Sequence, residues 1–327
     1  MSQWRRLTEQ VLSGQQVGKT EALAVLESPD DELLAVLDAA FQVRLAHFGR
    51  GVRLHVIRNA KSGACGEDCA YCSQSSHAAE PTTIYPMQNP EDILHGARDA
   101  QAMGAFRYCV VSSGRQPSAA DLAAACEAAR RIKREVSVQL CHSMGLLSLE
   151  QARALKEAGV DRYNHNLETS ERFFPTICRT HTYADRLATV RAVKAAGLEL
   201  CCGGIIGLGE TLEDRVDLAL TLRAVGADSI PLNFLNPRPG TALAGRRPPS
   251  ATEALRALAM FRFVNPSVEL RVAGGREACL GPLQALALFP ANSMFTNGYL
   301  TTPGQGHAAD LAMIAAAGFQ VAERTRA

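Results

Sequence analysis

The sequence predicts a closed (β/α)8 barrel of the TIM type, an α/β fold with an N-terminal helical extension, and three observations carry that expectation. After Gly51, a short β-branched run, a polar or glycine-containing connection and an amphipathic Ala- and Leu-rich segment follow one another eight times. That order is the signature of parallel βα units joined by right-handed crossovers. Glycines stand where helices should stop, at Gly104, Gly159, Gly197, Gly226 and Gly318, and suit the left-handed position after a helix C-terminus. The dinucleotide-binding glycine fingerprint that would favour an open doubly wound sheet, the alternative architecture, does not follow the first strand. That strand runs straight into a cysteine-rich loop instead.

Taken in order, residues 1–50 carry apolar residues at helical spacing, including Leu33, Leu34, Val36, Leu37, Phe41, Val43 and Leu45. They are expected to form a cap or an interface, set apart from a catalytic barrel at 51–327. The strands are expected at 54–60, 106–113, 136–143, 161–168, 198–206, 228–235, 268–275 and 292–300. Helices are expected at 90–103, 118–134, 148–158, 183–196, 211–225, 250–263, 280–288 and 307–317. The stretch 238–250 lies between a strand and its helix and reads as a loop on the active-site side.

With 327 residues and 47% hydrophobic content, the chain can bury a large core. Its 34 basic and 33 acidic residues leave a net charge of +1, which gives no electrostatic reason to expect a nucleic-acid or membrane partner. A small-molecule substrate is the default. No apolar run has spanning length and the first residues are too polar for a signal peptide, so a cytoplasmic location is expected. In a reducing compartment, ten cysteines read as ligands or core residues in preference to disulfides.

The chain's organising feature is SGACGEDCAYCSQSS, in which Cys65, Cys69 and Cys72 form a C-x3-C-x2-C array with Tyr71 beside the last. Three thiolates so spaced can hold three irons of a [4Fe-4S] cluster and leave the fourth iron open. Zinc would want four ligands, usually as paired C-x2-C or with two histidines, and the only neighbouring fourth ligand is His77. Spacing therefore favours the cluster.

Barrel strands normally send Val, Ile and Leu inward. Here they offer Cys109, Cys141, Cys201 and Arg271, with Asn164, Asn166 and Glu168 at i, i+2, i+4 and Asn233 on the sixth strand. Single cysteines are ordinary core residues, but buried Asn, Glu and Arg need partners. A second metal cluster or a polar ligand would satisfy them.

With these residues in view, the chain resembles the radical S-adenosylmethionine superfamily and, within it, the biotin synthase family, from about residue 35 to 322. The resemblance rests on NAKSGACGEDCAYCSQSS (59–76), AGVDRYNHNLETS (158–170), CGGIIGLGET (202–211), DSIPLNFLNPRPGTAL (228–243), FRFVNPSVELRVAGGRE (261–277) and ANSMFTNGYLTTPGQ (291–305). It implies that Cys65, Cys69 and Cys72 hold a [4Fe-4S] cluster whose open iron is chelated by S-adenosylmethionine. One electron then releases a 5′-deoxyadenosyl radical, which takes hydrogen from dethiobiotin so that sulfur can close the ring. It places the ligands of a [2Fe-2S] cluster, the sulfur donor, on Cys109, Cys141, Cys201 and Arg271.

Carried over residue by residue, the resemblance implies S-adenosylmethionine contacts at Tyr71, Asn166, Glu168 and Arg186, and at Gly204 and Gly207 of GIIGLGE. It implies dethiobiotin contacts at Asn164, Asn166 and Asn233. It further implies a homodimer, an electron donor of flavodoxin or ferredoxin type, and iron–sulfur assembly machinery. Two features depart from the pattern: Cys202 directly follows Cys201, and VVSSGRQPS follows Cys109 in the manner of one branch of the family. Adjacent strand residues face opposite ways, so only one of Cys201 and Cys202 should reach a cluster. Cys126, Cys178 and Cys279 read as structural or incidental, and His165 should point away from the lumen toward the helix layer. The alternatives are a hydrogenase maturase or mutase on the same barrel, and a non-catalytic iron–sulfur protein.

Overall fold

A computed structural model describes residues 2–80 and 82–322. Parallel strands β1 (Gly51–Lys61), β2 (Arg107–Ser112), β3 (Gln139–Ser143), β4 (Arg162–Asn164), β5 (Glu199–Cys201), β6 (Gly204–Ile206), β7 (Ser229–Phe234), β8 (Glu269–Val272) and β9 (Ser293–Phe295) form the wall. β9 returns to β1 with Met294 opposite Leu54, which closes the barrel. Two of the nine strands share one wall position: β5 and β6 both pair with β7, through Cys201 opposite Ser229 and through Gly204 opposite Leu232. The expected strand 198–206 is thus interrupted at Cys202 and Gly203. A Cβ on Gly203 would lie 2.0 Å from the Pro231 carbonyl oxygen, so the backbones approach too closely there for any side chain. A short β10 (Gln320–Val321) adds to the start of β1.

Helices α4 (Pro90–Ala102), α5 (Ala119–Glu135), α6 (Leu149–Glu157), α7 (Tyr183–Ala195), α8 (Leu212–Ala224), α9 (Ala251–Val264) and α11 (His307–Ala316) match the periodic segments. Asn89, Ser118, Ser148, Thr182, Thr211 and Ser250 each accept a backbone N–H as the N-cap of α4 to α9, a contact that stabilises a helix by about 1 kcal/mol. The five expected stop glycines all take positive φ, from 65° to 96°. The segment expected as a helix at 280–288 is instead a short α10 (Arg276–Leu280) followed by a 3-10 turn run, Gly281–Leu288, because Gly281 and Pro282 interrupt the α-helical hydrogen bonding.

The N-terminal extension is α1 (Gln3–Leu12), α2 (Lys19–Leu26) and α3 (Leu33–Phe48). α2 and α3 pack on α9, and α2 also touches α8. Fully buried Arg44 of α3 donates to the carbonyls of Ala291 (3.0 Å) and Gly51 (2.8 Å), which ties the extension to the N-terminal ends of β9 and β1. The division expected at residue 51 runs to 327, and its last five residues lie outside the described ones.

The main apolar core lies between strands and helices. The lumen has only a small apolar cluster of its own, Cys109, Cys141, Ala273 and Phe295. Its interior is therefore free to be polar at both the mouth and the floor. Among the described residues no helix is long and apolar enough to cross a membrane.

Candidate active site

The cysteine loop leaves the C-terminal end of β1 and folds back on itself. The Cys65 N–H donates to the Gln74 carbonyl (3.1 Å), the Ser76 N–H donates to the Cys65 carbonyl (2.7 Å), and the Cys72 N–H donates to the Cys69 carbonyl (3.0 Å). Gly63 and Ala64 take positive φ at 69° and 48° to make the turn, and the Gly63 N–H donates to the Gln74 side chain at 3.1 Å. These bonds bring Cys65, Cys69 and Cys72 to one side, together with Tyr71, over a cavity of about 350 Å³. Burial holds the Cys72 thiol above its ordinary range, so a thiolate there needs a compensating positive charge. His77 is outside the residues lining this cavity.

At the floor, strand register sets the second group. Cys109 stands opposite Cys141 on β2 and β3, and Asn164 stands opposite Cys201 on β4 and β5. The hydrogen bond between Cys109 and Cys141 lowers the first thiol's pKa and raises the second's. Arg271 on β8 brings Nη1 to 3.7 Å from Cys201 Sγ, and Asn164 Nδ2 lies 3.2 Å from the same sulfur. Burial works against the Arg271 charge, but Cys201, Glu269 and Cys109 outweigh it and hold the guanidinium protonated. Cys202 turns the other way into the apolar core between strands and helices, where burial pushes its thiol up. The two neighbours thus point to opposite sides, as expected, although Cys202 itself lies just past the end of β5.

Between mouth and floor lie Asn164, Asn166, Glu168, Arg186 and Asn233. β4 ends at Asn164, so the three expected positions do not sit on one strand face. Glu168 reaches the cavity through a left-handed turn at φ 69°. His165 also lines the cavity, contrary to the outward expectation, because alternation ends with the strand. Glu168 Oε2 is buried without a partner, while Oε1 lies 3.6 Å from Arg186 Nη1. Burial raises the Glu168 pKa despite that cation. Arg186 is fixed by its donation to the Asn166 carbonyl (2.6 Å) and to His181 Nε2 (3.0 Å).

Asn233 is held by the Gly204 carbonyl (3.2 Å) and the Gly274 N–H (2.9 Å). Gly204 is packed so closely that a Cβ would lie 2.4 Å from the Glu168 carbonyl oxygen. Gly207 is not brought to this cavity. Its N–H donates to Glu210 at 2.8 Å, and it lines a separate shallow site with Arg215 and Arg246.

Below the thiols lies a charged layer that pattern reading missed. Buried Glu269 Oε1 is 2.8 Å from Arg271, 3.3 Å from Arg162 and 3.1 Å from His55 Nε2, and Oε2 is 3.1 Å from Arg53. Arg107 and Arg162 share Glu199 at 3.1 and 2.8 Å. The signal was present: Glu269 and Arg162 stand two residues before Arg271 and Asn164, and i, i+2 places them on the same face one layer deeper. Cys178 was also missed. It lies 3.8 Å from Cys69, sulfur to sulfur, and 3.2 Å from His181 Nδ1, a contact across 109 residues that no spacing motif records. Among the described residues Cys126 and Cys279 meet carbonyl partners, Ala154 at 3.6 Å for the first and Pro249 at 3.2 Å and Ser250 at 3.9 Å for the second.

The donors fit iron–sulfur binding. Cys65, Cys69 and Cys72 face the cavity at its mouth and Cys109, Cys141 and Arg271 at its floor, whereas Cys201 is fully buried behind the lining. Arg107, Arg162 and Arg271 ring the deeper thiols and would offset thiolate charge. The orphaned Glu168 oxygen in the same cavity fits a hydroxyl-bearing ligand.

Comparison with known proteins adds to this geometry. Residues 60–222 match the Radical SAM superfamily and residues 231–320 match the Biotin and Thiamin Synthesis associated domain. The chain is 53% identical over 320 residues to the biotin synthase of Salinibacter ruber, covering 98% of this chain and 89% of that one. It is 46% identical over 321 residues to the biotin synthase of Bacillus subtilis, with 98% and 96% covered. Among solved structures, methylornithine synthase superposes with a TM-score of 0.86 at 18% identity, with 97% of each chain covered. The FeFe-hydrogenase maturase of Carboxydothermus hydrogenoformans superposes at 0.82 and 16% identity, with 98% of this chain and 80% of that one covered. At such identities the superpositions establish the shared barrel alone.

Proposed function

The chain belongs to the biotin synthase family of radical S-adenosylmethionine enzymes, and from that membership we propose that it inserts sulfur into dethiobiotin to form biotin. The observation that carries the reading is one cavity with Cys65, Cys69 and Cys72 at its mouth and Cys109, Cys141 and Arg271 at its floor, Cys201 standing behind Arg271, and with Glu168 and Arg186 between them. Cys65, Cys69 and Cys72 would hold a [4Fe-4S] cluster, and Cys109, Cys141 and Cys201 with Arg271 a [2Fe-2S] cluster. When bound, the first supplies an open iron and one electron for cleaving S-adenosylmethionine, and the second supplies sulfur.

The chain's own residues bind, orient and exclude. Glu168 accepts a ribose hydroxyl with the oxygen that lacks a protein partner. Arg186, already fixed by the Asn166 carbonyl and His181, faces the carboxylate of S-adenosylmethionine. Tyr71 completes that side, while Gly204 packs behind the lining against the Glu168 backbone and Gly207 supports the turn from outside the cavity. Asn164, Asn166 and Asn233 orient dethiobiotin between the clusters. Arg271 acts in the floor as a charge partner fixed by Glu269 and Ser229. The closed wall keeps water from a reactive intermediate, a task that burial serves directly.

A flavodoxin- or ferredoxin-type donor, iron–sulfur assembly machinery, a homodimer and a cytoplasmic setting belong to the same proposal. So does the division into a helical extension before residue 51 and a catalytic barrel after it. A mutase on this barrel would have no use for the floor thiols, which is why the sulfur-inserting reading is preferred.

The test is anaerobic incubation of the reconstituted chain with S-adenosylmethionine, a low-potential reductant and dethiobiotin. Biotin and 5′-deoxyadenosine should both appear. 5′-Deoxyadenosine without biotin would leave only another radical enzyme, and the absence of both products would exclude the proposal.

A further inference from the structure

Cys178 and His181 are buried, at 3% and 7% exposure, beside a residue assigned to the mouth cluster, yet the Cys65, Cys69 and Cys72 array is complete without them. The ligand atoms of Cys69, Cys178 and His181 all lie within 4.8 Å of one another. Tetrahedral zinc, with Zn–S near 2.3 Å and Zn–N near 2.0–2.1 Å, sets two sulfurs about 3.8 Å apart and a sulfur and a nitrogen about 3.5 Å apart. Cys69 Sγ and Cys178 Sγ are 3.8 Å apart, and Cys178 Sγ is 3.2 Å from His181 Nδ1. The three protein donors leave the fourth position to solvent, and Glu67, whose carboxylate contacts His181 Nδ1 and accepts from Thr180 Oγ1 at 2.8 Å, stands beside the site without joining it.

The site is also built in advance. Asp68 Oδ1 accepts from the backbone N–H groups of Arg179 (2.9 Å) and Thr180 (3.2 Å). The Ala70 N–H donates to the Ile177 carbonyl (2.9 Å). These bonds hold the two loops in register without any metal.

We propose that, when the mouth cluster is absent, Cys69, Cys178 and His181 bind a single zinc-class divalent ion, with solvent in the fourth position. Binding expels the thiol protons of Cys69 and Cys178 to solvent, His181 binds through Nδ1 as the neutral imidazole with its proton moved to Nε2 and the hydrogen bond from Arg186 given up, and no redox change is involved. Cys69 serves both sites, so ion and cluster exclude one another. That exclusion rests on the assignment of Cys69 to the cluster, whereas the ion site itself does not. The chain would therefore carry a metal-occupied form that must release its ion before the cluster can be assembled.

The test is a cobalt titration of the full-length chain, stripped of iron under anaerobic reducing conditions, followed by zinc displacement. Thiolate-to-cobalt charge-transfer bands report the ligands. The unaltered chain should bind one ion. Cys178→Ser and His181→Asn should each weaken binding by at least about tenfold, while Cys65→Ser and Cys72→Ser leave it intact. Melting of each metal-free variant shows that it has folded, and His181→Asn decides the matter should the Cys178 variant not fold. Cobalt bound as tightly by Cys178→Ser and His181→Asn as by the unaltered chain would overturn the proposal. So would equal loss in the Cys65 and Cys72 variants, which would place the ion on the cluster triad. The titration needs neither S-adenosylmethionine nor dethiobiotin, so its failure is distinct from a failure to make biotin.

Discussion

Arg271 Nη2 donates to Glu269 Oε1 at 2.8 Å, and both side chains are 2% exposed. Burial alone would raise the Glu269 pKa, but Arg162, His55 and Arg271 outweigh it and hold the carboxylate ionised. Removing one member of a buried, multiply paired charge set leaves the others uncompensated, at a cost of about 3–5 kcal/mol. Glu269→Gln should therefore lose about that much unfolding free energy in denaturant titration of the cluster-free chain. It should also assemble less of the floor cluster, because Arg271 loses its anchor. A variant with full stability would show that Arg53, Arg162 and Arg271 find other partners.

Cys201 and Cys202 should separate cleanly on mutation. Cys201 contacts Arg271 and Asn164 at the floor, whereas Cys202 is fully buried among apolar side chains. Cys201→Ala should abolish the [2Fe-2S] absorption and leave the [4Fe-4S] absorption. Cys202→Ala should retain both and cost about 1 kcal/mol for the small cavity. Iron analysis with visible spectroscopy decides, and loss of the floor cluster in Cys202→Ala alone would reverse the assignment.

Much of this arrangement was legible in the chain itself. The eight-fold alternation and the stop glycines located each βα unit, and Cys109, Cys141, Cys201 and Arg271, a set named by the resemblance and not by spacing, stand on barrel strands β2, β3, β5 and β8. What escaped was set by contacts remote in sequence. Gly203 breaks a strand only because Pro231 approaches it, and Glu168 enters the cavity through a turn where a strand was expected. The Cys69–Cys178 contact joins two loops that have no common motif. Glu269, His55, Arg107 and Arg162 were concealed because charged residues near strand starts usually face solvent, whereas here they neutralise one another under the thiols.

Glu168→Gln should weaken S-adenosylmethionine binding by roughly tenfold, the value of one charge-assisted hydrogen bond. The fold should be unharmed, since the acid is buried with one oxygen unpartnered and its pKa is raised by burial. Equilibrium dialysis of the reconstituted chain measures the first effect and thermal melting the second. Unchanged affinity would place the ribose elsewhere.

Asp214 supplies a pH test away from either thiol group. It lies in the first turn of α8 and accepts from the N–H of the N-cap Thr211 at 2.9 Å and from Ser170 at 2.6 Å, and it pairs with Arg172 at 2.6 Å. Burial raises its pKa, but the hydrogen bonds from Ser170 and Thr211 and the charge of Arg172 outweigh it, so the folded value lies below the ordinary one. Its contribution is then fully present above the unfolded carboxylate pKa, about 3.9, and is lost as pH falls through the lower folded value. Asp214→Asn should cost about 2 kcal/mol at pH 7, and the difference from the unaltered chain should narrow below about pH 4. A difference independent of pH would contradict this sign.

The central claim is that one cavity holds two thiol groups with separate tasks. It is tested most directly by iron content and product analysis of the reconstituted chain beside Cys109→Ala. The account predicts about six irons per chain for the former and about four for the variant, from the compositions of the two clusters. The variant should still form 5′-deoxyadenosine yet make no biotin. Biotin formation by Cys109→Ala, or an unaltered chain with only about four irons, would contradict it.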